Sequence, residues 1–556
     1  MDSYRLITGM VFAVCVFLLV DAWVRYRAAP PAAAPAAPER AAGERAAPPT
    51  PTLPAAPPTP AQQAAAPGET RAPAAEPREQ MVEVRTDFLR AEIDARGGSL
   101  RRVELLQHRD RDDRDKVLVL FEQTPDRVYL AQSGLIGAGL PNHTSAFVPE
   151  TASYSLQPGE DSVVVRLRAD GGGGVQVSKT FEFKRASYVI DVGFAVTNRG
   201  QEPIDAHAYY QLVRDVKPPV GDSKMVPTFS GVEIYTEKDK LGKISFEDVA
   251  ENKADYPKTS ADGWVAVVQH YFLAAWLPPP GVAREFYLRP LGEGLIAAGV
   301  IVPIAQIAAG ESGSTSTALY VGPQEQERLK ALAPGLELAV DYGWLRVLAV
   351  PLFWVLNKIY GFVGNWGVAI IILTIIIKIA FYPLSAASYR SMARMKVMAP
   401  KMQRLKERYG DDRQKMHQAM IELYKTEKIN PLGGCLPIVV QIPVFIALYW
   451  VLLLSVELRH APFALWIKDL STPDPFYILP VLMGATMFIQ TWLNPTPPDP
   501  MQARLMKIMP IAFSVFFFFF PSGLVLYWLV NNILSIAQQW QITRSLERSK
   551  PAHGEN

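Results

Sequence analysis

The stretch NWGVAIIILTIIIKIAFYP, Asn365 to Pro383, sets the class of protein. From Val368 to Ile377 it is apolar except for Thr374, and about 20 mostly apolar residues cross the hydrocarbon core of a bilayer. It reads as a membrane-spanning helix. Lys378 then breaks the run. A lysine at the centre of a span costs about 2.5–3.5 kcal/mol on insertion scales, so such a residue usually faces a bundle interior or a wet cavity. At 3.6 residues per turn, Gly367, Ile371, Thr374, Lys378 and Tyr382 form one stripe. The competing reading is that Lys378, about 8 Å from the Pro383 end, snorkels to the headgroups.

On the C-terminal side, 385–432 is a charged insertion holding 11 Lys and Arg, Arg394, Lys396, Lys401 and Arg404 among them, against 5 acids. YGDD at 409–412 supplies a glycine stop and an aspartate start, so the insertion reads as a helical hairpin. Met392, Met395, Met398, Met402, Met416 and Met420 recur near helical spacing, a pattern that suits a packing seam and adaptable apolar recognition. The basic excess places the hairpin in the cytoplasm. Counting from there gives span 2 at 362–384, span 3 at 433–456, a periplasmic loop at 457–475, span 4 at 476–493, a cytoplasmic loop at 494–503, span 5 at 504–520, span 6 at 524–542 and a cytoplasmic basic tail at 543–556. Pro521-Ser522-Gly523 reads as a tight external turn. In the last span Tyr527, Asn531, Ser535 and Gln538 share a face, with Asn532 and Gln539 beside them. Polar residues glue spanning helices together, but two polar stripes with a lysine in one favour a polar cavity around Lys378. No carboxylate lies in these spans to pair with it, which argues against a proton relay or ion-coupled transport.

Towards the N-terminus, 324–361 reads as a short closing helix followed by a helix at Val340 to Leu356 that is interfacial or spanning, the interfacial reading being favoured. Residues 81–323 carry alternating stretches such as VVVRLRA (163–169), VQVSKTFEF (175–183) and YVIDVGFAV (188–196), split by turn signals, and read as a large β-sandwich. Residues 28–80 are rich in Pro and Ala and read as a linker. Residues 1–27 hold an apolar run, a retained anchor or a cleaved signal, the anchor being favoured; with it the chain has six spans. The 556 residues carry a net charge of only +2, so no nucleic-acid signal exists. Cys15 and Cys435 both lie in apolar segments, which suits neither a disulfide framework nor a metal site. His108, His143, His207 and His270 lack ligand spacing, and the glycine tract 171–174 lacks a phosphate-loop lysine. Neither a cofactor nor a catalytic constellation is expected.

VDYGWL (340–345), FVGNWGVAIIILT (362–374), YPLSAASYRSMARM (382–395), INPLGGCLPIVVQIPVFIALY (429–449), SVELRHAPFALWIKDLS (455–471) and FPSGLVLYWLVNN (520–532) together resemble the YidC membrane protein insertases of the Oxa/Alb superfamily. The resemblance implies a multi-pass α-helical protein with a five-helix core and a periplasmic all-β supersandwich at 81–323. It implies a hydrophilic groove open to cytoplasm and lipid and closed outside, with Lys378 where members commonly carry arginine. Groove residues would be Lys378, Thr374, Gln441, Tyr527, Trp528, Asn531 and Ser535. The implied activity is inserting and helping to fold proteins of the bacterial inner membrane, alone or with the Sec translocon; partners would be nascent membrane proteins, the ribosome and the lipid bilayer. A channel or solute transporter using the same cavity is the alternative; an inverted repeat would favour it, and none is visible.

Overall fold

The computed structural model describes residues 80–111, 113–219, 228–410, 412–426, 436–494 and 500–548. The expected anchor at 1–27, the linker up to residue 79 and the end of the basic tail lie outside them.

Alternation builds the β domain. Val175–Lys184, VQVSKTFEFK, buries every second residue, as a strand with one face on a core must. It belongs to a nine-stranded sheet ordered Lys240–Ser245, Gly231–Thr236, Trp264–Gln269, Phe272–Leu277, Ser312–Pro323, Val189–Asn198, Val175–Lys184, Ser162–Asp170 and Val148–Pro149. A ten-stranded sheet faces it, ordered Thr259–Ser260, Arg284–Gly292, Leu295–Pro303, His207–Asp215, Val128–Ile136, Val117–Gln123, Ser99–Arg109, Leu89–Asp94, Met81–Arg85 and Ser153–Ser155. Val84, Leu105, Tyr210 and Val300 of one sheet and Val165, Phe181, Trp276 and Leu319 of the other enter one apolar core. The 171–174 tract is a short turn leading into a strand.

Short helices follow within and after the strands: α1 (Phe246–Ala250) and α2 (Gln326–Leu332). The helical region comprises α3 (Arg346–Val363), α4 (Trp366–Ala380), α5 (Tyr382–Tyr409), α6 (Arg413–Thr426), α7 (Leu436–Leu454), α8 (Ile478–Leu493), α9 (Pro500–Phe516) and α10 (Ser522–Arg548). Among the described residues, Gly343–Val363 is the single continuous helix long and apolar enough to cross a membrane by length and composition. It shows Val347 and Phe362 outward while Ala349, Phe353 and Leu356 pack inward. The segment 362–384, expected as span 2, is not one helix. α4 has 15 residues, about 22 Å, and α5 leaves it at a bend of 66°. The reason is Pro383. It sits in the first turn of α5, where its missing N–H costs nothing. The hairpin therefore begins at Tyr382, not 385, and turns at Gly410 as expected. Ser522 and Gly523 are likewise not a turn but the first residues of α10.

Two β-domain loops seat on the α7–α8 loop. His270 and Tyr271 form the turn between Trp264–Gln269 and Phe272–Leu277, and His270 Nε2 donates to Leu453 O at 3.1 Å. Arg459 Nη1 donates to Arg109 O at 2.6 Å, and Arg114 Nη2 lies 3.3 Å from Asp469 Oδ2.

Candidate functional site

The end of α4 is held in place from its start. Asn365 caps the helix, accepting from Val368 N at 3.0 Å, while its own amide donates to Phe463 O at 2.9 Å. Gly367 then lets the helix pass against Phe463, whose ring atoms occupy the space a Cβ would fill. α4 so fixed lies against α10, which also packs on α5, α7 and α8.

Lys378 is buried where these helices meet, 6% exposed. Its ammonium donates to Ser535 Oγ at 2.7 Å, and Ser535 Oγ donates to Asn531 O, also at 2.7 Å. Gln538 Nε2 reaches Lys378 O at 3.5 Å. From α7, Gln441 Nε2 donates to Asn531 Oδ1 at 2.7 Å. The Lys378 head thus points into the bundle, not out to a headgroup. Ser535 is a neutral acceptor, so the positive charge is solvated but not cancelled.

The expected residues do not all meet. Lys378, Gln441, Asn531 and Ser535 form one connected seam. Thr374 does not join it: its hydroxyl donates to Ile370 O of its own helix at 2.7 Å, the usual refuge of a buried helical threonine. Tyr527 stacks on Phe445 and Trp528 meets the same ring edge-on; the Tyr527 hydroxyl reaches Gln441, while Trp528 Nε1 is buried without a hydrogen-bond partner. Arg394, Lys396, Lys401 and Arg404 are exposed along α5. The hairpin's methionine seam is partly closed, with Met398 buried and Tyr424 Oη directed at Met402 Sδ, 3.9 Å away.

Other polar residues come together on a second face of α10. Asn532 Nδ2 donates to Thr486 Oγ1 at 3.3 Å and Gln539 Nε2 to Asn494 Oδ1 at 3.1 Å, both across to α8. Tyr389 of α5 reaches the Ser535 hydroxyl from the other side. It also lines a cleft of about 350 Å³ with Lys396, Gln539, Trp540 and Arg544. Sequence reading missed Tyr389. No local signal marks it, because Lys378 and Tyr389 lie on either side of the break after Ala380 and helical spacing does not carry across a 66° bend. Among the described residues no three His, Cys, Asp or Glu side chains gather as a metal site.

Two family models cover most of the chain: "YidC periplasmic domain" matches 81–355 and "60Kd inner membrane protein" matches 358–550. A membrane protein insertase YidC of Methylobacillus flagellatus is 55% identical over 99% of this chain and 98% of its own length. One from Nitrosospira multiformis is 57% identical over 84% of this chain and 82% of its own length. A crystal structure of an active YidC insertase with its first transmembrane domain resolved aligns over 83% of this chain and 92% of that one, at 20% identity and a TM-score of 0.38. The chain belongs to the YidC family of membrane protein insertases, inner-membrane proteins with a periplasmic domain.

Proposed function

We propose that this chain inserts proteins into the inner membrane by giving their polar segments a temporary partner inside the bilayer. One observation carries the reading. Lys378 is a buried cation held by a neutral hydroxyl, in a seam of side chains that hydrogen-bond one another. An acidic or polar stretch of an incoming protein exchanges for Ser535 and gains an attraction that grows as the local dielectric falls. Its apolar helix then leaves sideways for lipid. The channel reading has no support among the relatives, which are named as insertases. A non-enzymatic role follows from this mechanism, which makes and breaks no covalent bond.

The topology that goes with it has six spans, counting the segment at 1–27 and α4, α7, α8, α9 and α10. The β domain lies in the periplasm, and the α5–α6 hairpin and C-terminus lie in the cytoplasm. The short α4 and the bend after it bring Lys378 within reach of water entering from the cytoplasmic side. The cleft beside Tyr389, with Lys396 and Arg544 in its wall, is the entrance. The exposed cations of α5 are the contact for ribosomes and emerging chains, and the Sec translocon is a partner for substrates with large translocated domains. The test is depletion of the resident insertase and complementation with variants, reading insertion of a small membrane protein with an acidic translocated segment. Lys378→Arg is expected to restore insertion and Lys378→Glu to fail. Normal insertion by Lys378→Glu would sink the mechanism.

A further inference from the structure

A cavity of about 100 Å³ lies where the β domain meets the α7–α8 loop, walled by Arg111, Arg459, His460, Asp469, Thr472 and Phe519 among others. At about 30 Å³ per water it has room for roughly three waters or one tetrahedral oxyanion. We propose that this cavity holds the phosphate group of an anionic phospholipid in the outer leaflet. The inference rests on the reading of α7 and α9 as spans with the β domain outside.

The charge balance points to an anion. Two guanidinium groups, Arg111 and Arg459, line the cavity with one carboxylate, Asp469, which is already occupied; Asp110 acts on Arg459 from outside the lining. Asp469 accepts from Ser471 N at 2.8 Å and Ser471 Oγ at 2.7 Å, and it lies 3.3 Å from Arg114 Nη2 and 3.0 Å from His460 Nδ1. Arg459 donates to Arg109 O and sits 5.3 Å from the centre of the Phe272 ring. A guanidinium has five N–H donors, so this leaves others unspent. The other ring nitrogen of His460, Nε2, is buried without a hydrogen-bond partner. His460 is also held at φ +58°, in the left-handed region, a strain that persists only where the surroundings fix the residue. Burial first, then the charges of Arg111 and Arg459, drive His270 down to about 4, against the opposing bond to Leu453. The pocket is positive before any ligand enters, and its arginines present the fork that matches phosphate oxygens.

The floor identifies the source of the phosphate. Phe519 and Pro521 line the cavity at the outer end of apolar α9, and Leu453 lines it at the end of α7. Leu465, Phe476 and Tyr477 are exposed in the same loop, the composition of a membrane-interface belt. Acyl chains would continue onto the exposed outer end of α9 and the turn after it, where Phe516 and Phe519 lie. Inorganic phosphate gains nothing from that floor.

The experiment uses the full chain in a mild detergent with phosphatidylglycerol, phosphatidylcholine or inorganic phosphate added. Bound lipid is counted by native mass spectrometry, and the unfolding midpoint is followed in parallel. Wild type is expected to retain phosphatidylglycerol about tenfold better than phosphatidylcholine, the factor of one charge-assisted contact. Arg111→Gln is expected to lose that preference at an unchanged midpoint; Arg111 is exposed, so the variant keeps the fold. Arg459→Lys, which keeps a charge but loses the fork, falls between. Equal retention of the two lipids, an unaffected Arg111→Gln, or inorganic phosphate shifting the midpoint as far as phosphatidylglycerol each overturns the proposal. Retention is read without substrate. A Lys378→Glu chain that keeps phosphatidylglycerol while failing to insert supports this site and the groove separately, and one that keeps phosphatidylglycerol and inserts normally overturns the groove mechanism alone.

Discussion

Three buried ionisable groups show three ways of living without water. Lys179 is fully buried and donates to Gly97 O, Gly98 O and Ser133 O at 2.8–2.9 Å, with the Phe181 and Phe194 rings 5.3 Å away. Lys179→Met orphans three carbonyls and is expected to cost about 3 kcal/mol or more, read as a lower thermal midpoint. Lys378 has one neutral partner, and an apolar replacement of a buried charge is often neutral or stabilising. Lys378→Met is therefore expected to leave the midpoint within about 1 kcal/mol of wild type while insertion fails, a split that a purely structural lysine would not give. Glu233 is the reverse case. Neither of its oxygens has a hydrogen bond, and Lys243 Nζ stands 3.7 Å off, nearer to Asp341. Burial, opposed by Lys243 and aided by Asp341, raises its pKa from 4.5 to about 8. A raised folded pKa means stability that is full below the unfolded value and lost as pH rises through the folded one. The β domain should thus weaken between about pH 4.5 and pH 8, and Glu233→Gln should flatten that slope in thermal unfolding followed against pH. Of the three, only Lys378 was legible in the sequence, because a charge inside an apolar run has no innocent reading. Lys179 hides in an alternating strand, and the burial of Glu233 depends on which strands flank it.

At the scale of elements, helices were legible and their joints were not. Apolar runs announced α4, α7, α8 and α9, and polar spacing singled out the face of α10 that meets Lys378. The bend after α4 was hidden because proline signals an end or a beginning with the same letter. The start of α4 offers a direct test. Asn365→Ala removes the cap to Val368 and the tie to Phe463, and is expected to cost about 1 kcal/mol for the cap alone. Gly367→Ala drives a methyl into Phe463 and is expected to cost more, about 1–3 kcal/mol. Both are read as midpoint shifts in detergent, with Asn365→Asp, which keeps a capping oxygen, close to wild type. The β domain follows the same pattern. Alternation showed where strands lie, but the order of the two sheets joins segments as distant as His207–Asp215 and Val128–Ile136, and no local signal encodes such a pairing.

In the whole molecule, the α7–α8 loop is the place where the β domain and the helices are fastened, and Asp469 is the fastener. Burial tends to raise its pKa, but bonds from His460 and Ser471 outweigh that and hold it below 3.8. A lowered folded pKa gives stability that is present above the ordinary carboxylate value and lost as pH falls through the folded one. Docking should therefore hold at neutral pH and loosen in strong acid. Asp469→Asn is expected to loosen it at pH 7, read as faster proteolysis between 324 and 345 with the insertion seam intact. The seam itself has a kinetic meaning. At rest Lys378, Ser535, Asn531 and Gln441 hydrogen-bond one another, so on the proposed mechanism an arriving polar or acidic segment displaces a neutral hydroxyl and never meets a bare charge. The exchange happens midway, between water and lipid, and so lowers the summit between those two states. On that mechanism the protein sets how fast a segment crosses, while the crossing segment's own hydrophobicity sets whether it stays, and no fuel is burned at the seam.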